Sequence, residues 1–129
     1  AKFVYRWGPV LIWAGVIFTL SSIPTFPTVP IMWWDFVLKK SAHVIEYAIF
    51  YLFLARALTN ASPHQLWPHK PTPKHWLMTL AIGILYALSD EYHQSFVPGR
   101  TSKLTDVGFD TLGMLVSLTV IKKKIISKK

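Results

Sequence analysis

The residues able to do chemistry in this chain fall in three short stretches. Lys39, Lys40, His43 and Glu46 form the first, Asp90, Glu91, His93 and Gln94 the second, and Asp106 and Asp110 the third. Together with Asp35 they account for all six carboxylates of the chain. Carboxylates beside imidazoles are the parts of general acid–base catalysis, which makes His43, Glu46, Asp90, Glu91, His93 and Asp110 the candidate catalytic groups. Lys40, Gln94, Arg100 and Asp106 are the candidate substrate contacts, with Lys40 and Arg100 as cations for a phosphate or carboxylate. Arg100 follows Pro98-Gly99, a pair suited to the central positions of a type II turn that would hold the guanidinium over its neighbours. Asp90-x-x-His93, with His43, Glu46, Asp106 and Asp110, also offers mixed nitrogen and oxygen ligands for a metal ion. Lys39, Lys40 and Arg100 oppose a cation there, so no metal is assigned and the cofactor stays open.

The spacing of these groups is helical. Lys39, His43 and Glu46 fall at i, i+4 and i+7, one stripe of a helix. Tyr86, Asp90 and His93 make a second stripe, and Asp106, Asp110, Gly113 and Ser117 a third, with Gly113-x-x-x-Ser117 small enough for close helix packing. Each residue also has a plain structural reading. Asp106 suits the positive end of a helix, and Lys39 and Lys40 suit an interface where lysines snorkel. Glu91 can face solvent, Glu46 and Asp110 can sit in buried ion pairs, and His43 and His93 can be satisfied core histidines. For Arg100 the plain reading is a lipid headgroup contact or an ion pair with Asp106 or Asp110. A coincidence across three helices is harder to explain than one shared polar pocket.

The elements that must position these groups are four apolar runs, predicted as helices over 4–23, 36–58, 76–93 and 104–121. A chain of 129 residues has room for one domain, here a single unit over 1–129. It is 52% hydrophobic and 16% charged, against roughly 25% charged in an average soluble domain. The apolar content excludes disorder, and the absence of Cys excludes a disulfide framework. Leu77 to Leu88 is apolar on every side, which a small soluble bundle has no means of hiding. A signal peptide is a competing reading of the first run, but no small-x-small cleavage pattern follows and Pro24, Pro27 and Pro30 do. The sequence thus predicts an all-α, integral membrane four-helix bundle, without internal repeats.

Charge sets the orientation. Lys and Arg number fourteen against six Asp and Glu, a formal net charge of +8. Ten of the fourteen cations lie at the N-terminus, in the loop between the second and third runs, or in the C-terminal tail. By the positive-inside rule both termini are cytoplasmic. The other four, Lys39, Lys40, Arg100 and Lys103, share the outer side with all six acids. The basic excess is then topological, the bilayer is the predicted partner, and nucleic acid is not one. The loop from Asn60 to His75, with Pro63, Pro68, Pro71 and Pro73, reads as an irregular interfacial segment. Its His64, His69 and His75 have no metal-ligand spacing, while Trp33, Trp34, Trp67 and Trp76 suit the aromatic belts.

Lys40-Ser-Ala-His43-Val-Ile-Glu46-Tyr47 and the block from Ser89 through Asp90-Glu-Tyr-His-Gln94 to Pro98-Gly-Arg100, followed by Asp106 and Asp110-Thr-Leu-Gly113, resemble the VanZ-like family. Ser21-Ser22-Ile23-Pro24 resembles it too, so that the likeness covers nearly the whole chain. Many members carry Asp where Lys39 stands here. The resemblance implies a small multi-pass protein of the bacterial cytoplasmic (inner) membrane, linked through the family's namesake to teicoplanin resistance. It supplies no reaction. Three readings follow from the residues: an enzyme acting on a lipid-linked or phosphate-bearing cell-envelope intermediate, a non-catalytic binder of a cell-wall precursor or glycopeptide, and an ion- or proton-coupled transporter. The last needs polar groups through the full bilayer thickness, and the inner halves of helices one, three and four offer few.

Overall fold

Long apolar runs satisfy their backbone groups internally only as helices, the one open-chain solution in a medium without water, and the first run stays helical even through Gly8-Pro9 near its start. The computed structural model describes residues 2–22, 33–62, 64–98 and 104–127, and these form helices α1 (Lys2–Ser22), α2 (Trp33–Leu58), α3 (Pro73–Gln94) and α4 (Leu104–Ser127). Among the described residues there is no strand. Helices of 21 to 26 residues are about 30–40 Å long, the depth of a bilayer with part of its headgroups. Phe3–Ser22, Val37–Leu58 and Leu104–Ser127 are long and apolar enough to cross a membrane. The 22-residue α3 is as long but more polar at its ends, with Lys74 and His75 at one and Asp90 to Gln94 at the other.

Local chemistry explains where the helices depart from the predicted limits. α3 begins three residues early because Thr72 caps it, with Pro73 at the first helical position. The Thr72 Oγ1 accepts from the His75 amide at 3.4 Å and His75 Nδ1 accepts from the Thr72 amide at 3.0 Å, a capping box that gives His75 a structural role. α4 runs on through Lys122–Lys124 to Ser127, since lysines are good helix formers and suit the negative C-terminal end of the dipole. α2 ends at Leu58, and Asn60 just beyond it turns the chain at φ 58°. The Asn60 amide donates to Ala57 O at 3.4 Å and the Ala61 amide to Arg56 O at 3.1 Å, the paired bonds of a Schellman stop.

The bundle runs up and down. Arg6 near the start of α1 forks onto Ala57 O at the end of α2, at 3.2 and 2.8 Å. Trp13 Nε1 donates to Glu46 O at 2.8 Å, and Tyr86 OH donates to Ala14 O at 2.6 Å. Lys122 Nζ lies 5.7 Å from the centre of the Trp76 ring, which joins the end of α4 to the start of α3. One end of the bundle therefore gathers Arg6, Arg56, Lys74 and Lys122, and the other every carboxylate whose side chain is described. α2 packs against all three other helices, and Tyr47, Tyr51, Leu54, Ala87, Met114 and Ile121 fill the interior.

Closest of all is the α2–α4 crossing. A Cβ on Gly113 would fall on the carbonyl of Val44 and within 3.0 Å of its Cα, so only glycine lets the two backbones meet there. The outer faces are apolar: Ile12, Leu77, Leu85 and Leu104 are each at least 66% exposed. Such a continuous belt would aggregate in water and is at ease in lipid. Gly113→Ala is expected to lower the unfolding temperature in detergent, at a cost of about 1–3 kcal/mol for the forced separation. Gly108→Ala, where a Cβ meets nothing within 4 Å, is expected to leave it unchanged or raise it. Equal melting of the Gly113 variant and the parent would rule out the close crossing.

Candidate functional site

Alternating four- and three-residue spacing on α4 turns Asp106, Asp110, Gly113 and Ser117 inward, and all four are buried. Opposite them α2 presents Lys40, His43 and Tyr47. Lys40 Nζ forms an ion pair with Asp106 Oδ1, and His43 Nδ1 lies 2.8 Å from Asp110 Oδ1. The stripe expected from Lys39 through His43 to Glu46 is rotated. Lys39 is exposed, and Lys40 takes its place because the α2 face meeting α4 is centred on Val44 at the Gly113 contact. Glu46 is half-buried, and its backbone carbonyl accepts from Trp13 of α1.

Asp90 on α3 anchors a second cluster. Ser21 Oγ donates to its Oδ1 at 2.5 Å, Gln94 Nε2 to its Oδ2 at 3.3 Å and Tyr47 OH to its Oδ2 at 3.4 Å. Gln94 Nε2 also reaches Ser21 Oγ at 3.3 Å. His93 Nε2 is 2.9 Å from Ser22 Oγ, and its ring stacks on Phe18 at 4.3 Å between centres. Glu91 is only 4% exposed, so the solvent-facing reading gives way to a buried one. Tyr47, fully buried one turn beyond His43, stands between the two clusters.

Nine of the ten candidate residues thus gather at one end: His43, Glu46, Asp90, Glu91, His93, Asp110, Lys40, Gln94 and Asp106. Arg100 and the turn at Gly99 before it lie outside the described residues. Sequence reasoning missed Ser21, Ser22 and Tyr47 as members of the site. Ser21-Ser22 and Tyr47 enter the sequence reading only within the stretches that carry the family resemblance, with no role in the site. The usable signal was Tyr47 at i+4 from His43, together with a Ser-Ser pair at the same depth as Asp90.

The three best-defined carboxylates are held differently. Asp106 has a full cation, Asp110 an imidazole, and Asp90 three neutral donors. A carboxylate in a low-dielectric interior is expensive unless paired and hydrogen-bonded. Asp110 meets that condition only halfway: it is 0% exposed, yet its Oδ2 has no hydrogen-bond partner among the described residues. Among the described residues no three imidazole or carboxylate groups converge as a metal site. Beside the pairs, a groove of about 490 Å³ opens between α2 and α4, lined by Val37, Lys40, Ser41, Val44, Phe109 and Leu112. Lys40 Nζ lies 5.3 Å from the centre of the Phe109 ring at its polar edge.

Replacing His43 by Leu strips Asp110 of its partner and is expected to destabilise the folded bundle by about 3–5 kcal/mol. The His43→Leu/Asp110→Leu double variant is expected to recover most of that loss. Unfolding titrations in detergent measure the difference, and a double variant no more stable than the single one would show the pair to be uncoupled.

No curated protein and no solved structure matches the chain. The VanZ/LLP1 family profile matches residues 5–126. That span takes in both polar clusters, the α2–α4 crossing and all but the first residues of α1 and the last of α4. A match of that extent, on a bundle with three helices long and apolar enough for a bilayer, makes the chain a membrane protein belonging to the VanZ/LLP1 family.

Proposed function

We propose that the carboxylate-bearing end of the bundle is an enzymatic site for the phosphate-bearing headgroup of a lipid-linked cell-envelope intermediate. His43 is its general acid–base and Asp110 its orienting partner. The observation that carries this reading is the His43–Asp110 pair itself, a carboxylate of 0% exposure with one oxygen left without a hydrogen bond among the described residues. A group so costly in hydrocarbon is a functional-site candidate by default. With Nδ1–H donating to Asp110, the imidazole keeps Nε2 for proton transfer. Water attacks phosphorus, its proton passes to Nε2, and the same proton returns to the leaving oxygen. Lys40 and Arg100 supply positive charge to the phosphate, and Asp90, Glu91, His93 and Gln94 line the remaining wall.

The orientation belongs to the same proposal. The protein is multi-pass in the bacterial inner membrane, both termini are cytoplasmic, and the acidic end faces outward. Ten of fourteen cations in the segments at the opposite end support it. A site so placed meets envelope precursors on the outer surface and alters teicoplanin susceptibility through them. A second reading, capture of a precursor or glycopeptide without turnover, is favoured by the engagement of Lys40 with Asp106. Transport finds less support, because Leu54, Ala87, Met114 and Ile121 fill the interior beyond the polar end.

The test is turnover of a labelled lipid-linked precursor by purified protein. The parent is expected to release headgroup product. His43→Gln, which keeps a donor for Asp110 but exchanges no proton, is expected to lose at least 100-fold in rate while still binding the precursor. Precursor bound by the parent with no product formed would overturn the enzyme and leave the binding reading.

A further inference from the structure

The opposite end of the bundle carries a second site that the proposed reaction does not use. The loop joining α2 to α3 is tied down rather than draped. Arg56 Nε donates to Gln65 O at 2.9 Å, and the His69 amide donates to Thr59 Oγ1 at 2.9 Å. With the Schellman stop before it and the Thr72–His75 capping box after it, both ends of the loop are fixed. Between the loop and the last turns of α4 lies a recess of about 800 Å³ whose walls include His64, Leu66, Trp67, His69, Lys70 and Ile125.

Three features of the recess converge on one ligand chemistry. Its walls are split, with Leu66, Trp67 and Ile125 apolar and His64, His69 and Lys70 polar. Its surroundings are basic: Arg56, Lys70, Lys74 and Lys122–Lys124 belong to this end, and no acid lies between Glu46 and Asp90 or after Asp110 in the sequence. Lys70 is also held at φ 45° directly before Pro71. That left-handed conformation is uncommon for a side chain of this size and is costly before proline. Strain of this kind persists only where the surroundings enforce it, and it marks sites of function.

We propose that this recess binds an anionic phospholipid. The phosphate is held by Lys70, His64 and His69 with the Lys122–Lys124 field behind them, and one acyl chain lies along Leu66, Trp67 and Ile125. Basic pockets at helix ends recognise anionic headgroups by this combination of charge and apolar wall. Binding ties the loop to α4 and gives the segment from Asn60 to His75 a role: it is the clamp of a lipid site.

The test is thermal unfolding of the full chain in neutral detergent, titrated with phosphatidylglycerol, phosphatidylcholine of the same chains, or inorganic phosphate. Phosphatidylglycerol alone is expected to raise the unfolding temperature in a saturable way. Lys70→Gly, which relieves the left-handed strain and so preserves the fold, is expected to weaken phosphatidylglycerol binding at least tenfold. Lys39→Gln, an equal loss of charge at the far end, is expected to leave it unchanged. Equal stabilisation by phosphatidylcholine, or by phosphate alone, would overturn the proposal. So would unaltered affinity in Lys70→Gly, or an equal loss in Lys39→Gln.

Discussion

A carboxylate facing hydrocarbon has no water to turn to, and most of this bundle is arranged around that fact. Asp90, Asp106 and Asp110 are buried on two helices that meet the other two at one end. Each finds a partner on a neighbouring helix, because its own offers mainly backbone groups already used, with Gln94 adding a bond to Asp90 from within α3. Asp106 and Asp110 draw α4 onto α2 through Lys40 and His43. Asp90 draws α3 onto α1 through Ser21 and onto α2 through Tyr47. The polar end is therefore both the candidate site and the element that fixes which helices are neighbours there. Pairs of this type specify arrangement more reliably than they add stability.

Packing completes what the pairs begin. Lipid tails are as apolar as leucine, so burial of apolar surface gives little drive for helices to associate within the bilayer. Close van der Waals contact has to supply it, and Gly113 against the Val44 backbone is the place where α2 and α4 achieve it. Gly83 plays a softer part, since the nearest group there is the flexible thioether of Met114. The tight contact lies within one turn of the His43–Asp110 pair, so the crossing that fixes the backbone also fixes the imidazole.

Much of this is legible in the chain itself. Four apolar runs yield four helices, and the spacing of Asp106, Asp110, Gly113 and Ser117 identifies the buried face of α4. The rotation of α2 was not legible. Lys39 and Lys40 are adjacent and alike, and choosing between them requires knowing that Val44 sits against Gly113, a contact between distant parts of the chain. The serines that hold Asp90 and His93 were hidden for a related reason. A hydroxyl at the end of an apolar run has several uses, and its partner lies about seventy residues away. Local grammar such as Thr72-Pro73-x-His75 lay in plain view, but a capping box ordinarily carries Glu or Gln where His75 stands, so the start of α3 was placed three residues late.

The bonds that fasten the helices along their length have a property of their own. Arg6, Trp13, Tyr51 and Tyr86 each donate to a backbone carbonyl of a neighbouring segment, at Ala57, Glu46, Trp76 and Ala14 respectively. Every residue type carries the same carbonyl, so the side chains on the accepting side are not part of these bonds. The burden of recognition falls on four donors alone. A change of side chain at an accepting position therefore acts on packing or on the site, as at fully buried Ala57, and leaves the acceptor of the joint itself in place.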